Sequence, residues 1–163
     1  INSIKIKPNN KIENDLIRAK KIGIIYQDKN LLSDFSALEN VYLPNLLISS
    51  EKQKSKELAK KIIKNVGMSS RINHFPNELS GGEGQRIAIA RALINDPDII
   101  LADEPTGSLD FDNAKQIFKI LFNLKNKKRI IIFATHNRYF ANMADCKIKM
   151  IDGKMTIDNE RIN

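Results

Sequence analysis

An α/β fold with a largely parallel sheet is predicted by three features of the chain. Short apolar runs of strand length alternate with longer segments of helical period. The run at 99–102 is apolar at every position, as in a parallel strand covered on both faces. Asp103 and Glu104 then follow directly at its carboxyl end, where open parallel sheets place their polar residues of interest.

The elements follow in order. A first strand is expected over 22–26, closed by Gln27. Beyond it Leu31, Leu32, Phe35, Leu38, Val41 and Leu43 are apolar, with helical spacing from Phe35 onward. The next helix is expected over 51–66 and ends at Gly67, because glycine readily takes the left-handed backbone that closes helices. A loop rich in Asn and Pro leads to Glu78. Ser80 and Glu83 have the spacing of a capping box, opening a helix to about residue 95 that Pro97 cannot continue. After the strand at 99–102, Pro105 and Gly107 make a turn. A helix over 112–124, a strand over 129–134, a short helix after His136 and a hairpin around Asp152 and Gly153 complete the chain.

The 163 residues, 42% hydrophobic and 28% charged, fit a single globular domain and exclude a disordered chain. No apolar stretch approaches the ~18 residues of a membrane-spanning helix. The single cysteine, Cys146, and two separated histidines offer neither an internal disulfide nor a zinc-ligand spacing, which fits a reducing cytosol. The sequence opens on Ile1 without an export signal, and its first methionine is Met68, so it is expected to start after the beginning of its protein. A net charge of +8 raises nucleic acid as a partner, but the lysines are scattered. Those from Lys52 to Lys64 share their helix with Glu51, Glu57, Leu58 and Ile62, as on a solvated face, and no nucleic-acid partner is expected.

Two segments carry chemistry. Ser80, Gly81, Gly82 and Glu83 head a helix, where unpaired N–H groups and a partial positive charge suit an anion, and two residues without side chains would let a phosphate approach the backbone. Asp103 and Glu104 at a strand terminus could hold magnesium through its water shell and activate an attacking water. Gln27 and His136 end neighbouring strands in the same manner, and the Ser108 to Asp110 segment reads locally as a helix cap.

In this order, Gln27, the Ser80 to Glu83 segment, Asp103 with Glu104, the Ser108 to Asp110 segment and His136 resemble the motifs of ATP-binding cassette (ABC) ATPases. The resemblance runs from about residue 22 to the end. It implies a P-loop-NTPase-like (ABC ATPase) core over 1–27 and 96–163, N-terminally truncated, and a small helical subdomain over 28–95 carrying the signature motif. It further implies a Q-loop at Gln27, a signature motif at 79–83, Walker B at 99–103, a catalytic base at Glu104, a D-loop at Ser108 and Asp110, and a switch histidine at His136. The implied cofactors are ATP and Mg2+, with Gln27 and Asp103 on the metal. The implied partners are a second ATPase subunit in a head-to-tail dimer, whose nucleotide Ser80 and Gly82 would touch, and integral membrane transporter subunits.

Within the family, Tyr26, Gln27, Leu31, Leu32, Asp34, Phe35, Ala37, Leu38, Glu39, Asn40, Val41 and Pro44, with Arg71, Asn73, His74, Pro76 and Glu78, are most similar to the lipoprotein-releasing branch. By that likeness the protein is expected to sit peripherally at the cytoplasmic face of a bacterial inner membrane and to energise release of lipoproteins from that membrane toward the outer membrane. Macrolide-exporter and cell-division ATPases, or a non-hydrolytic remnant, are the alternatives. Two departures stand out. The P-loop spacing Gly, four residues, Gly, Lys, Ser or Thr does not occur within these residues, so weak ATP binding is expected of the chain as it stands. Gly84 replaces a longer polar residue, at a cost of roughly 1 kcal/mol to an early helical turn.

Overall fold

The structure, a computed structural model, describes residues 11–125 and 129–158; the ends of the expected core segments at 1–10, 126–128 and 159–163 lie outside them. Three strands, β1 (Ile22–Ile25), β2 (Ile99–Asp103) and β3 (Ile130–Ala134), form a parallel sheet in the order β1-β2-β3. Residues of the three align across the sheet, Ile25 with Ala102 and Ala102 with Phe133, so all three carboxyl ends reach one edge.

The sheet has unequal faces. Ile25, Ile100 and Ala102 are buried, in one core with Ile87 and Ile89 of α4 (Gly81–Leu93) and Ile117, Phe118 and Leu121 of α5 (Phe111–Asn123). At Gly23 a Cβ would lie 2.5 Å from the Ala92 carbonyl oxygen, so β1 approaches α4 backbone to backbone. On the opposite face, Ile24, Leu101 and Ile132 form an aligned apolar row that is only half covered, and Ile132 is 55% exposed. Among the described residues, helices cover one face of β2, and on the other Ile99 and Leu101 are half-buried.

Between β1 and β2 the chain is helical. The helix α2 (Ala37–Ser49) begins with a capping box in which the Ser36 N–H donates to Glu39 Oε2 (2.9 Å) and the Glu39 N–H to Ser36 Oγ (3.3 Å). Buried Asn40 knots the preceding loop, accepting from the Leu32 N–H and donating to the Leu32, Phe35 and Ser36 carbonyls. The helix α3 (Lys52–Asn65) buries Ser55, Ala59 and Ile63 and turns its lysines outward; Gly67 follows at φ 75°, as its stop requires. Two 3-10 turns at Ser69–Arg71 and Pro76–Glu78 fill the Asn- and Pro-rich loop.

Residues past β3 make the short helix α6 (Arg138–Ala141) and a hairpin of β4 (Lys147–Ile151) and β5 (Lys154–Asp158). Asp152 and Gly153 both take positive φ, 49° and 73°, as a two-residue hairpin turn demands. The helix α1 (Lys11–Lys21) was not among the expected elements; Glu13 in its first turn and Arg18, Lys20 and Lys21 in its last complement the helix dipole.

Candidate functional site

The carboxyl edge of the sheet gathers residues from three strands. Gln27 lies two positions beyond β1, Asp103 ends β2 with Glu104 next, and Thr135 and His136 follow β3. Glu104 sits at φ 41°, a left-handed conformation unusual for a residue with a Cβ. Its N–H donates to the Ala134 carbonyl (3.0 Å) and its carbonyl accepts from the Gly107 N–H (3.0 Å), which fixes the turn.

The Glu104 carboxylate is held on both oxygens. Oε1 accepts the His136 N–H (2.8 Å) and lies 2.8 Å from His136 Nδ1, while the Thr135 hydroxyl donates to Oε2 at 3.3 Å. The carboxylate is largely covered, with 20% of the side chain exposed, whereas the imidazole is 82% exposed. A covered, oriented carboxylate beside an exposed imidazole can accept a proton and place a second polar group within one site. Thr135 was not singled out in the sequence; its place between strand and His136 is the signal that could have found it.

Asp103 is exposed, and among the described residues its carboxylate has no hydrogen-bond or ion-pair partner. No group of three or more His, Cys, Asp or Glu side chains able to hold a metal occurs among them. A free carboxylate without a full protein cage fits magnesium, which keeps several waters and takes one or two protein oxygens. The exposed Gln27 amide lies against the turn after Glu104, 3.0 Å from where a Gly107 Cβ would stand.

The second segment opens α4. Ser80 is the N-cap, with Ser80 Oγ accepting the Glu83 N–H (3.3 Å) and the Ser80 N–H donating to Glu83 Oε2 (2.9 Å). Glu83 Oε1 also accepts from Arg71 Nε at 2.8 Å, and this bond above all, with that from the Ser80 N–H, lowers its pKa from 4.5 to about 2. Glu83 is thus engaged with its own chain, as cap and ion pair. The two glycines differ. Gly81 is exposed, but Gly82 is buried, and a Cβ on it would come within 3.0 Å of Asn113 Oδ1. At Gly82 the missing side chain makes room for the close approach of α4 to α5.

Asp110, and not Ser108, caps α5, accepting the N–H groups of Asp112 and Asn113. The Asn113 amide donates to the other Asp110 oxygen at 2.6 Å, and these bonds, led by the Asn113 N–H, lower the Asp110 pKa. Ser108 is exposed in the turn before it. Asn113 therefore joins the Asp110 segment to Gly82, a link between distant positions that local spacing does not reveal. Gly84 is also buried, with Lys29 Cδ 2.8 Å from the place of its missing Cβ.

Comparison with known proteins places this geometry. A family model described as ABC transporter matches residues 2–107. The chain is 43% identical over 141 residues to lipoprotein-releasing system ATP-binding protein LolD 1 of Chlorobium luteolum, covering 86% of this chain and 60% of that protein. It is 45% identical over 139 residues to the LolD of Treponema denticola, covering 85% of this chain and 62% of the relative. The chain thus spans about three fifths of the length of these curated relatives. Among solved structures, the dimeric structure of MJ0796, a bacterial ABC transporter cassette, matches with a TM-score of 0.83 and 34% identity, over 96% of this chain and 71% of the other. A post-hydrolysis state of the same cassette, bound to ADP and Pi, matches equally.

Proposed function

The chain belongs to the ABC transporter family, and on that premise we propose that it carries the Walker B, signature, D-loop and switch elements of an ATP-hydrolysing subunit that drives lipoprotein release from a bacterial inner membrane. The observation that carries the reading is Glu104, held in a left-handed turn with His136 and Thr135 on its carboxylate. Backbone strain of this kind, of order 1–3 kcal/mol, persists where a site needs it.

Glu104 acts as the base that takes a proton from the water attacking the γ-phosphate of ATP. His136 keeps the carboxylate aimed and presents its exposed ring to the phosphate. Gln27 and Asp103 would hold a magnesium ion, which would supply charge neutralisation on the phosphate oxygens. Ser80 and the first N–H groups of α4 bind the phosphate of nucleotide held by a second copy in a head-to-tail dimer, with Ser108 and Asp110 at the junction. The division into a core over 1–27 and 96–163 and a helical subdomain over 28–95 belongs to the same proposal: α2, α3 and α4 pack on one another, while the strands carry the acidic edge. No helix among the described residues is long and apolar enough to cross a membrane, and integral membrane transporter subunits belong to the proposal by likeness to the relatives.

The lipoprotein reading rests on the relatives, which are lipoprotein-releasing ATP-binding proteins. It is tested by placing the gene product that carries this chain with its membrane subunits in lipid vesicles and following lipoprotein release on addition of ATP. Release that requires ATP is expected; ATP turnover with no lipoprotein released would overturn the cargo.

A further inference from the structure

The segment just after β1 is attached to α4 by three side-chain hydrogen bonds. Arg91, in the last turn of α4, donates from Nη1 to the Asn30 carbonyl (2.6 Å) and from Nη2 to the Lys29 carbonyl (2.8 Å). On the other side of Gln27, the Tyr26 carbonyl accepts from Nε2 of Gln85 at 3.1 Å. Gln85 is 1% exposed and its Oε1 has no partner, so its amide is committed to this one bond. The Lys29 stem fills the notch that Gly84 leaves in the same helix. Asn30 turns the chain at φ 47°, which brings two successive carbonyls within reach of one guanidinium.

Gln27 is thus bracketed by three carbonyls, all held from α4, while its own amide rests on the turn that contains Glu104. We propose that Arg91, assisted by Gln85, is a positioning residue for Gln27, fixing the metal-side glutamine to the helix whose first turn is the signature segment. A shift of α4 is then delivered to Gln27 through these bonds. The planar fork of arginine offers each carbonyl its own nitrogen in fixed geometry, which the single ammonium nitrogen of a lysine cannot reproduce.

The proposal rests on the metal-side role of Gln27 given above, and the test separates the two. Parent, Gln27→Ala, Arg91→Gln, Arg91→Lys and the double variant Gln27→Ala/Arg91→Gln are compared in the gene product that carries this chain. Two readouts are used: the magnesium concentration that half-saturates binding of a fluorescent ATP analogue, and amide hydrogen exchange over residues 28–31 without nucleotide. Arg91→Gln is expected to raise the magnesium requirement about tenfold, as losses of residues that orient metal ligands do. Binding in EDTA is expected to stay unchanged, exchange over 28–31 to accelerate, and exchange within α4 to hold. Arg91→Lys, which keeps charge and stem, should fall between parent and Arg91→Gln, and it decides the matter where Arg91→Gln does not fold. The double variant should be no worse than Gln27→Ala alone. A shift in Gln27→Ala with none in the folded Arg91 variants, or additive shifts in the double variant, overturns the proposal alone. No shift in Gln27→Ala overturns the role of Gln27 and the proposal with it.

Discussion

Replacing Glu83 by glutamine probes the opening of α4 through its dependence on pH. The carboxyl is displaced from 4.5 to about 2 by Arg71 and by the Ser80 N–H. At about 1.4 kcal/mol per tenfold, that displacement sets an upper bound of roughly 3 kcal/mol. Arg71 and Glu83 keep side-chain exposures of 43% and 27%, so solvent screens the pair, and about 1–2 kcal/mol is the expected contribution at pH 7. Because the folded carboxyl is more acidic than the unfolded one, this stability is fully present above about 4.5 and is lost as pH falls through about 2. Urea unfolding of parent and Glu83→Gln at pH 7, 5 and 3 measures the difference. The parent should lead by about 1–2 kcal/mol at pH 7, and its lead should shrink by roughly half or more at pH 3. A lead that stays constant with pH, or no lead at pH 7, would refute the reasoning.

Other substitutions test the packing that positions the site. Gly82→Ala drives a Cβ to 3.0 Å from Asn113 Oδ1 and should cost about 1–3 kcal/mol in chemical denaturation, whereas Gly84→Ala meets only the flexible Lys29 stem and should be near neutral, helped by about 1 kcal/mol of helix propensity. Gly23→Ala meets the Ala92 carbonyl oxygen at 2.5 Å, which only backbone movement can relieve, so a loss of about 3 kcal/mol or more is expected, read as a fall in thermal midpoint. Ser80→Ala removes the side-chain acceptor of the Glu83 N–H and should destabilise the protein by about 1 kcal/mol in the same assay.

Features written in adjacent residues were legible in the sequence, and those made by distant residues were not. The Ser80 and Glu83 box, the stop at Gly67 and the turn at Asp152 and Gly153 each follow from a few neighbouring side chains, and each stands where it was expected. Strand 99–102 was legible as parallel, but its place between β1 and β3 is made by pairings with distant residues. The contact of Glu104 with His136 joins strands 32 positions apart, so the sequence shows two polar strand ends without showing that they touch. The burial of Gly82 on Asn113 is equally hidden, since a glycine at a helix start reads alike whether it faces solvent or a neighbouring helix. The helix α1 was missed because its charged residues outnumber its apolar ones, and the dipole-matched termini are a weaker signal than an apolar stripe.

The central claim, that Glu104 is the base of an ATP-hydrolysing site, is tested most directly by Glu104→Gln in the gene product that carries this chain. Glutamine keeps an oxygen to accept the His136 N–H but cannot take a proton. Magnesium-dependent ATP turnover is predicted to fall by about 100-fold or more while ATP binding persists. Turnover within about twofold of the parent would contradict the assignment, since loss of a general base costs far more than that.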